Sequence, residues 1–576
     1  CKKRIHNVKN QSIMIIIKGS WILAPFIYGG FYDWIIFAMA VVWQVCLLYI
    51  AIQNKKIILP EKTICIIVTG IMLCYVGTVF YGIDSGMSEL GLIKVIALLE
   101  FLVLVEQIQY EERIELLEQI PMIASVMAVI SMISYITPWK HTFFQASRLG
   151  GFFQYSNTFA LYLLIGIIVL LYEKKKEGKL WYIKLYILTT AVLFTGSRIV
   201  FFLMIINYLL FFIVDKKNRV TIFVMTGWII GLTIIGIVIT GSYQNMGRYL
   251  TIFTHNSTLW GRILYQVDGL KMLLKRPAGL GYMGYYFLQP SVQSAAYTTK
   301  FVHNDFLQIG LDGGMIAMIL AVILFIQSIY EKSSQDLQKH LLVIIAIHSC
   351  LDFNLQFLSI GMIVIVCMQC KEKKELQLKK IKIFCLLTFV GFVLSLRAGI
   401  GTSLEYQGKY KQALKIMPEL TTARMKQLSK ETDKNQAEES ADKLIHSNKI
   451  ISQAYGVKAE IAYGENNYNA MVCYKRQEIK NRKYDIAVYE DYIDKLACIL
   501  QEKQADSDTK GMKQYLEELL WIQQYIEKVN TQTNPIANHL KDESILQFDS
   551  NYQNYLEQIR DYYNRNYKTQ GDKTQF

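Results

Sequence analysis

The chain has 576 residues, 52% of them hydrophobic and only 19% charged, with a formal net charge of +14. Soluble domains average roughly 45–50% apolar and about 25% charged residues, so the composition excludes a string of soluble domains, a disordered chain, a collagen and a disulfide mini-fold. The charge admits a nucleic-acid patch, an attraction to anionic lipid, or a by-product of membrane topology, and the positions of the charges decide among them.

A bilayer core requires about 20 consecutive apolar residues per helix. Such runs lie at 12–30, 33–52, 63–83, 89–108, 117–137, 157–173, 181–196, 198–214, 221–241, 305–329, 338–353, 356–371 and 382–400. They predict an all-α, polytopic helix bundle of about 12–13 transmembrane helices over residues 1–400. The first run is not read as a cleavable signal, because a dozen further runs follow it.

Short loops rich in Lys and Arg stay cytoplasmic. Lys2, Lys3, Arg4 and Lys9 precede the first run, and Lys55, Lys56 and Lys62 occupy the second loop. Lys174, Lys175, Lys176 and Lys179 fill the sixth, Lys216, Lys217 and Arg219 the eighth, and Lys371, Lys373, Lys374, Lys379 and Lys380 the twelfth. The segments 28–33, 84–89 and 352–356 carry no Lys or Arg. This alternation predicts a multi-pass plasma (inner) membrane protein with its N-terminus in the cytoplasm. It also places a large loop, 242–304, and everything after about residue 401 outside. Residues 401–576 hold 25 basic and 26 acidic residues, against 36 and 21 in residues 1–400, so the surplus belongs to the membrane part. No nucleic-acid partner is expected.

The C-terminal part is polar, with Ala and Tyr recurring at helical spacing through Ala454, Tyr455, Ala459, Tyr463, Tyr468, Ala470 and Tyr474. Residues 401–530 are read as a soluble helical domain resembling tetratricopeptide repeats of about 34 residues. A generic helical bundle accounts for the pattern almost as well. Residues 531–576 are read as a polar, flexible tail. Cys367 and Cys370 are spaced as a redox or zinc pair but lie in an apolar run, where packing is the stronger reading. Cys473 and Cys498 have no required partner.

Charges at a membrane edge are costly and mark function by default. Several basic residues here sit on the outer side, against the topology rule: Arg148, Arg198, Arg248, Arg262, Lys271, Lys275 and Arg276. Snorkelling is the plainer reading of Arg248 and Arg276. Arg198 lies in the tight turn Thr195-Gly-Ser-Arg198, which leaves little length for snorkelling. Trp260, Ile263, Leu264, Val267, Leu270 and Leu274 predict an amphipathic helix in the large loop, ended by Pro277 and the glycines that follow. Gly279-x-Gly281-x-x-Gly284 has dinucleotide spacing but no preceding strand, so that site is rejected. His303-Asn304-Asp305 opens a span, and helix capping competes with a functional role there. His348 and Asp352 are read, in the bland alternative, as a pair inside the bundle.

These residues carry a resemblance. Arg148-x-x-Gly with Asn157, Ser197-Arg198 at a span start, Gly261-Arg262, Pro277-x-Gly279-x-Gly281, His303-Asn304-x-Phe-Leu-Gln308 and His348-Ser-x-x-Asp352 come in one order on one side. Over about residues 140–370 the chain resembles the O-antigen ligase and polymerase superfamily of bacterial membrane proteins. Asp312 departs from the pattern, which has Glu. The resemblance implies a metal-independent glycosyltransferase without cofactor. It would move a glycan from a polyprenyl-diphosphate carrier to a glycan, lipid or protein hydroxyl in cell-surface polysaccharide assembly.

For that chemistry Arg198 and Arg262 are the expected diphosphate ligands, since guanidinium pairs with phosphate in a fork and steadies charge on the leaving oxygen. His303 is the expected base, an imidazole being suited to proton transfer near neutral pH. Arg148, Asn157, Asn304, Gly279 and Gly281 are expected to line the substrate. Direct displacement predicts inversion, and no outer Asp-x-Asp motif offers a metal site. The rivals are a lipid-linked glycan flippase and, within the enzyme class, a protein O-oligosaccharyltransferase. The one-sided clustering of polar residues and the lack of an internal repeat favour an enzyme over alternating access. The helical tail is expected to serve as a protein-partner or glycan platform.

Overall fold

The computed structural model describes residues 2–173, 178–214, 216, 219–240, 257–368, 374–376, 378–540 and 545–567. For 2–12, 233–240 and 378–379 it describes the backbone alone. Arg248, Cys370 and the lysines at 174–176, 217, 371 and 373 lie outside the described residues. The described chain is helical apart from two short strand pairs. It divides into two compact units: 1–256, 272–282 and 301–420 form one, and 257–271, 283–300 and 421–576 the other.

In the first unit, the predicted apolar runs fall on helices. These are Lys2–Phe26, Asp33–Asn54, Lys62–Tyr81, Ser85–Glu106, Tyr110–Ile133, Ser156–Tyr172, Lys179–Thr195, Arg198–Val214 and Arg219–Thr240. Asp336–Ser349, Leu358–Cys367 and Leu378–Tyr406 follow. The run 305–329 is the exception. It is two helices, Asp305–Gly313 and Met315–Tyr330, because Gly314 adopts φ +96, a conformation no helix contains. Four described helices are long and apolar enough to cross a membrane: Asp33–Asn54, Lys62–Tyr81, Tyr110–Ile136 and Lys380–Tyr406. Six shorter apolar helices accompany them. The protein is an all-α, multi-pass membrane protein.

The helix Ser156–Tyr172 is buried from Ser156 to Leu171. A helix that is apolar all round belongs in the centre of a bundle. It packs on Tyr110–Ile133 and Lys179–Thr195, and Gly166 brings it close to the Leu188 side chain.

The loops group as the charge alternation sorts them. Ile57–Leu59, in one lysine-bearing loop, pairs antiparallel with Lys374–Leu376 in another, and Gln107 donates to Ile58 O at 2.7 Å. Gly29, in a segment without Lys or Arg, accepts from Ser359 Oγ near the start of Leu358–Cys367 at 2.9 Å. Ile83 N donates to Leu280 O at 2.8 Å. These bonds tie the start of Leu358–Cys367 to the turn at Gly29, and the end of Lys62–Tyr81 to the glycine turn at 279–281.

In the second unit the helices Thr421–Leu428, Lys434–Ser447, Ser452–Gly464, Tyr468–Asn481, Ile486–Ala505 and Thr509–Thr531 each pack on their sequence neighbours. The predicted helical pair is Ser452–Gly464 with Tyr468–Asn481. It turns at Asn466, with φ +57, and Asn467 caps the second helix through Ala470 N at 3.3 Å. The amphipathic helix of the large loop is Ser257–Lys275. Two features differ from expectation. Position 400 falls inside the helix Leu378–Tyr406, and the compact division comes after Leu420. The polar tail carries a helix, Ser550–Asn566, capped by Asp549 at Asn551 N (2.8 Å) and Tyr552 N (3.1 Å). Its Leu556, Tyr552, Tyr555, Ile559 and Tyr563 share one face and pack on the core of the unit, which offsets a polar composition. Cys473 and Cys498 are both free thiols.

Candidate functional site

The site in the first unit is built from two turns and a helix start. Asn304 Oδ1 accepts from Leu307 N at 3.0 Å, so it caps the helix Asp305–Gly313. Its Nδ2 donates to Cys350 O at 3.1 Å, which ties this helix start to the segment after Asp336–Ser349. His303, just before the cap, has φ +54, a region few non-glycine residues occupy. Holding it there costs on the order of 1–3 kcal/mol and marks a position the surroundings over-determine.

That backbone directs the imidazole at Asp352: His303 Nδ1 lies 3.1 Å from Asp352 Oδ1. The ring edge rests on Phe353, with centroids 4.9 Å apart. The His303 side chain is 17% exposed and that of Asp352 is 0%. Asp352 Oδ1 also accepts from Tyr155 Oη (2.7 Å) and Phe353 N (3.1 Å), and Oδ2 from Asn157 Nδ2 (2.8 Å). Asp352 thus acts as an acceptor on both oxygens, the role of an ionised carboxylate.

Asn157 passes the network outward. Its Oδ1 accepts from Arg148 Nη2 at 2.6 Å, while Arg148 Nε donates to Thr195 O at 2.8 Å. Arg148 is placed by a tight hairpin, in which Phe144–Gln145 pairs with Arg148–Leu149. Ala146 and Ser147 between them have φ +46 and +64, the signs of a two-residue hairpin turn. Gly196, at φ +60, ends the helix Lys179–Thr195, and a Cβ there would lie 3.4 Å from Arg148 Nε. The same turn carries Arg198, the first residue of Arg198–Val214. The structure therefore brings together His303, Asn304, Asn157 and Arg148, with Arg198 on the turn that holds Arg148.

Arg262 belongs to the second unit, where it is buried (8% exposed) on Ser257–Lys275. Gly279 and Gly281, with φ +98 and +85, form a backbone crossing. Leu280 N donates to Leu311 O (2.6 Å), Gly281 N to Asp312 O (3.1 Å) and Met315 N to Pro277 O (2.8 Å). A Cβ at Gly279 would stand 2.6 Å from Gly314 N. These glycines seat the helix that begins after His303. Asp312 is buried and accepts from Gln308 Nε2 at 2.9 Å.

Two members of the network, Asp352 and Tyr155, were not among the predicted site residues. His348, the partner considered for Asp352 in the bland reading, has its Nδ1 3.0 Å from Asn354 Oδ1. The available signal was an acidic residue in a short outer segment without Lys or Arg. Among the described residues, no group of three His, Cys, Asp or Glu side chains is placed to hold a metal ion.

A carboxylate held on Nδ1 fixes the proton there and puts the basic lone pair on Nε2. The arrangement suits abstraction of a proton from a hydroxyl. No curated protein and no solved structure matches the chain. Residues 183–322 match the family model described as O-Antigen ligase, a span that includes Arg198, Arg262, Gly279, Gly281, His303 and Asn304, so this stretch of the chain is similar to O-antigen ligases.

Proposed function

We propose that the protein is an inverting, metal-independent glycosyltransferase of the extracytoplasmic membrane face. It moves a glycan from a polyprenyl-diphosphate carrier to an acceptor hydroxyl in surface-polysaccharide assembly. The observation that carries this reading is the chain Thr195–Arg148–Asn157–Asp352–His303, which leads to one partly exposed imidazole.

In the reaction His303 Nε2 takes the proton of the acceptor hydroxyl. The oxygen attacks the anomeric carbon, and the bond to the diphosphate oxygen breaks on the opposite face. Asp352 holds the tautomer and offsets the positive charge that develops on the imidazole. Arg198, on the turn that holds Arg148, binds the diphosphate and stabilises the charge gathering on the leaving oxygen. Diphosphate leaves readily, so no general acid is required. Arg148 and Asn157 act through Asp352 and extend the substrate-facing wall, and Asn304 holds the helix that presents His303. The grouping of lysine-bearing loops at one end supports an inner-membrane orientation with the site on the outer side.

The test uses purified protein in liposomes, a polyprenyl-diphosphate oligosaccharide and a hydroxyl acceptor. Glycan transfer that survives chelator supports the reading. Donor crossing the bilayer without transfer contradicts it and indicates a flippase. A retained anomeric configuration contradicts the direct displacement.

A further inference from the structure

The second unit contains a cavity of about 610 Å³ that the reaction above does not use. Sites for small molecules span roughly 300–1,000 Å³. One wall is the helix Gly284–Val292 with the segment that follows it, and the other is the helix ends around Ile451 and Asn481 to Asp485. Both walls belong to the same compact unit.

The walls are fixed before any ligand arrives. Asp268, 2% exposed, accepts from Ser294 N (2.8 Å), Ser294 Oγ (2.7 Å) and Tyr297 Oη (2.9 Å). Asn534 N donates to Ser294 O at 2.8 Å. Gln289 and Gln293 hydrogen-bond to each other, and Gln289 Nε2 also reaches Tyr297 O at 3.3 Å. On the facing wall Asn481 Nδ2 donates to Lys449 O at 3.3 Å, and Tyr484 Oη meets Thr533 Oγ1 at 2.9 Å. Side chains already held in place lose little entropy when they bind.

The lining specifies the ligand's chemistry. Its two charges, Arg482 and Asp485, pair with each other at 3.2 Å, so the cavity offers no surplus charge to a phosphate or an acidic peptide. The uncharged lining combines tyrosine rings (Tyr286, Tyr297, Tyr484), amides and hydroxyls with apolar side chains such as Met425 and Ile450. A pyranose chain matches this mixture: its C–H faces lie on aromatic rings and its hydroxyls pair with amides. We infer that the cavity is an oligosaccharide site for the acceptor glycan, distinct from the carrier's diphosphate. The inference rests on the glycan-transfer reading and names where that reaction's second substrate is held.

The test uses the full-length protein in nanodiscs without donor. The probe is oligosaccharide released by mild acid from the surface polysaccharide of the cells that make the protein. Saturable binding is expected by titration calorimetry and saturation-transfer NMR. Tyr286→Ala and Tyr484→Ala weaken it about tenfold or more, while Tyr484→Phe and His303→Ala leave it within twofold. In transfer assays the two alanine variants raise the acceptor KM by a similar factor and leave the donor KM unchanged. Arg482→Ala, on the exposed rim, provides a variant that does not disturb packing and is expected to weaken binding severalfold. Absence of saturable binding, or binding that all three alanine variants leave intact, overturns the inference, as does displacement of the glycan by an unglycosylated peptide. Binding that follows the variants while no transfer is detected supports the cavity's role and counts against the catalytic reading instead. Transfer without binding here overturns only the cavity's role.

Discussion

His303 Nδ1 and Asp352 Oδ1 lie 3.1 Å apart across 49 residues of chain. The contact joins the segment before Asp305–Gly313 to the segment after Asp336–Ser349, and it gives the imidazole one tautomer. Asp352→Asn keeps the shape but weakens that assignment. Transfer is expected to fall on the order of 10²–10⁴-fold, the range for a misassigned general base, with a smaller effect on carrier binding. Single-turnover rates and carrier affinity measured on one preparation check this.

Asn157 presents oxygen to Arg148 and nitrogen to Asp352. Asn157→Asp sets a second carboxylate against Asp352 and is expected to cost more activity than Asn157→Ala. An unmet buried donor or acceptor costs roughly 1–3 kcal/mol, and a buried like-charge contact more. Relative kcat/KM for the two variants is the check.

Arg148 uses two different nitrogens, Nε toward Thr195 and Nη2 toward Asn157. Lysine has one charged centre and cannot span both. Arg148→Lys is expected to lower kcat/KM about tenfold, or about 1.4 kcal/mol. Equal activity of the Lys variant is the contrary result.

Gly279 and Gly314 meet backbone to backbone, both at positive φ. Gly279→Ala introduces a Cβ 2.6 Å from Gly314 N. It is expected to lower thermal stability in detergent and to reduce transfer by displacing the helix behind His303. Melting temperature and residual activity should fall together.

Asp268 is the shared acceptor of Ser294 and Tyr297 in the second unit. Asp268→Ala leaves those donors unmet, at roughly 1–3 kcal/mol each. Faster hydrogen exchange across residues 283–300 is expected, with little change in the first unit.

Much of the fold was legible because apolar runs and loop charges are local signals. Twelve of the thirteen runs fell on single helices and the thirteenth on two, and the amphipathic face from Trp260 to Leu274 fell within Ser257–Lys275. The break at Gly314 was not legible, since Asp312-Gly-Gly-Met sits within an otherwise apolar stretch and only the backbone crossing with 277–281 requires it. The helix Ser550–Asn566 was hidden by its polar composition, although its apolar residues share one face. In the site, His303 and Asn157 stood out by residue type and position. Asp352 did not, because a nearer partner, His348, offered an ordinary explanation. Its contact with His303 comes from a segment 49 residues away, which only tertiary packing sets.

The central claim is that His303, held by Asp352, is the base of glycan transfer. The most direct measurement is the single-turnover transfer rate of wild type and His303→Ala, with a polyprenyl-diphosphate oligosaccharide and saturating acceptor in chelator. The account predicts a fall on the order of 10²–10⁴-fold with carrier affinity unchanged. A His303→Ala rate within twofold of wild type contradicts it.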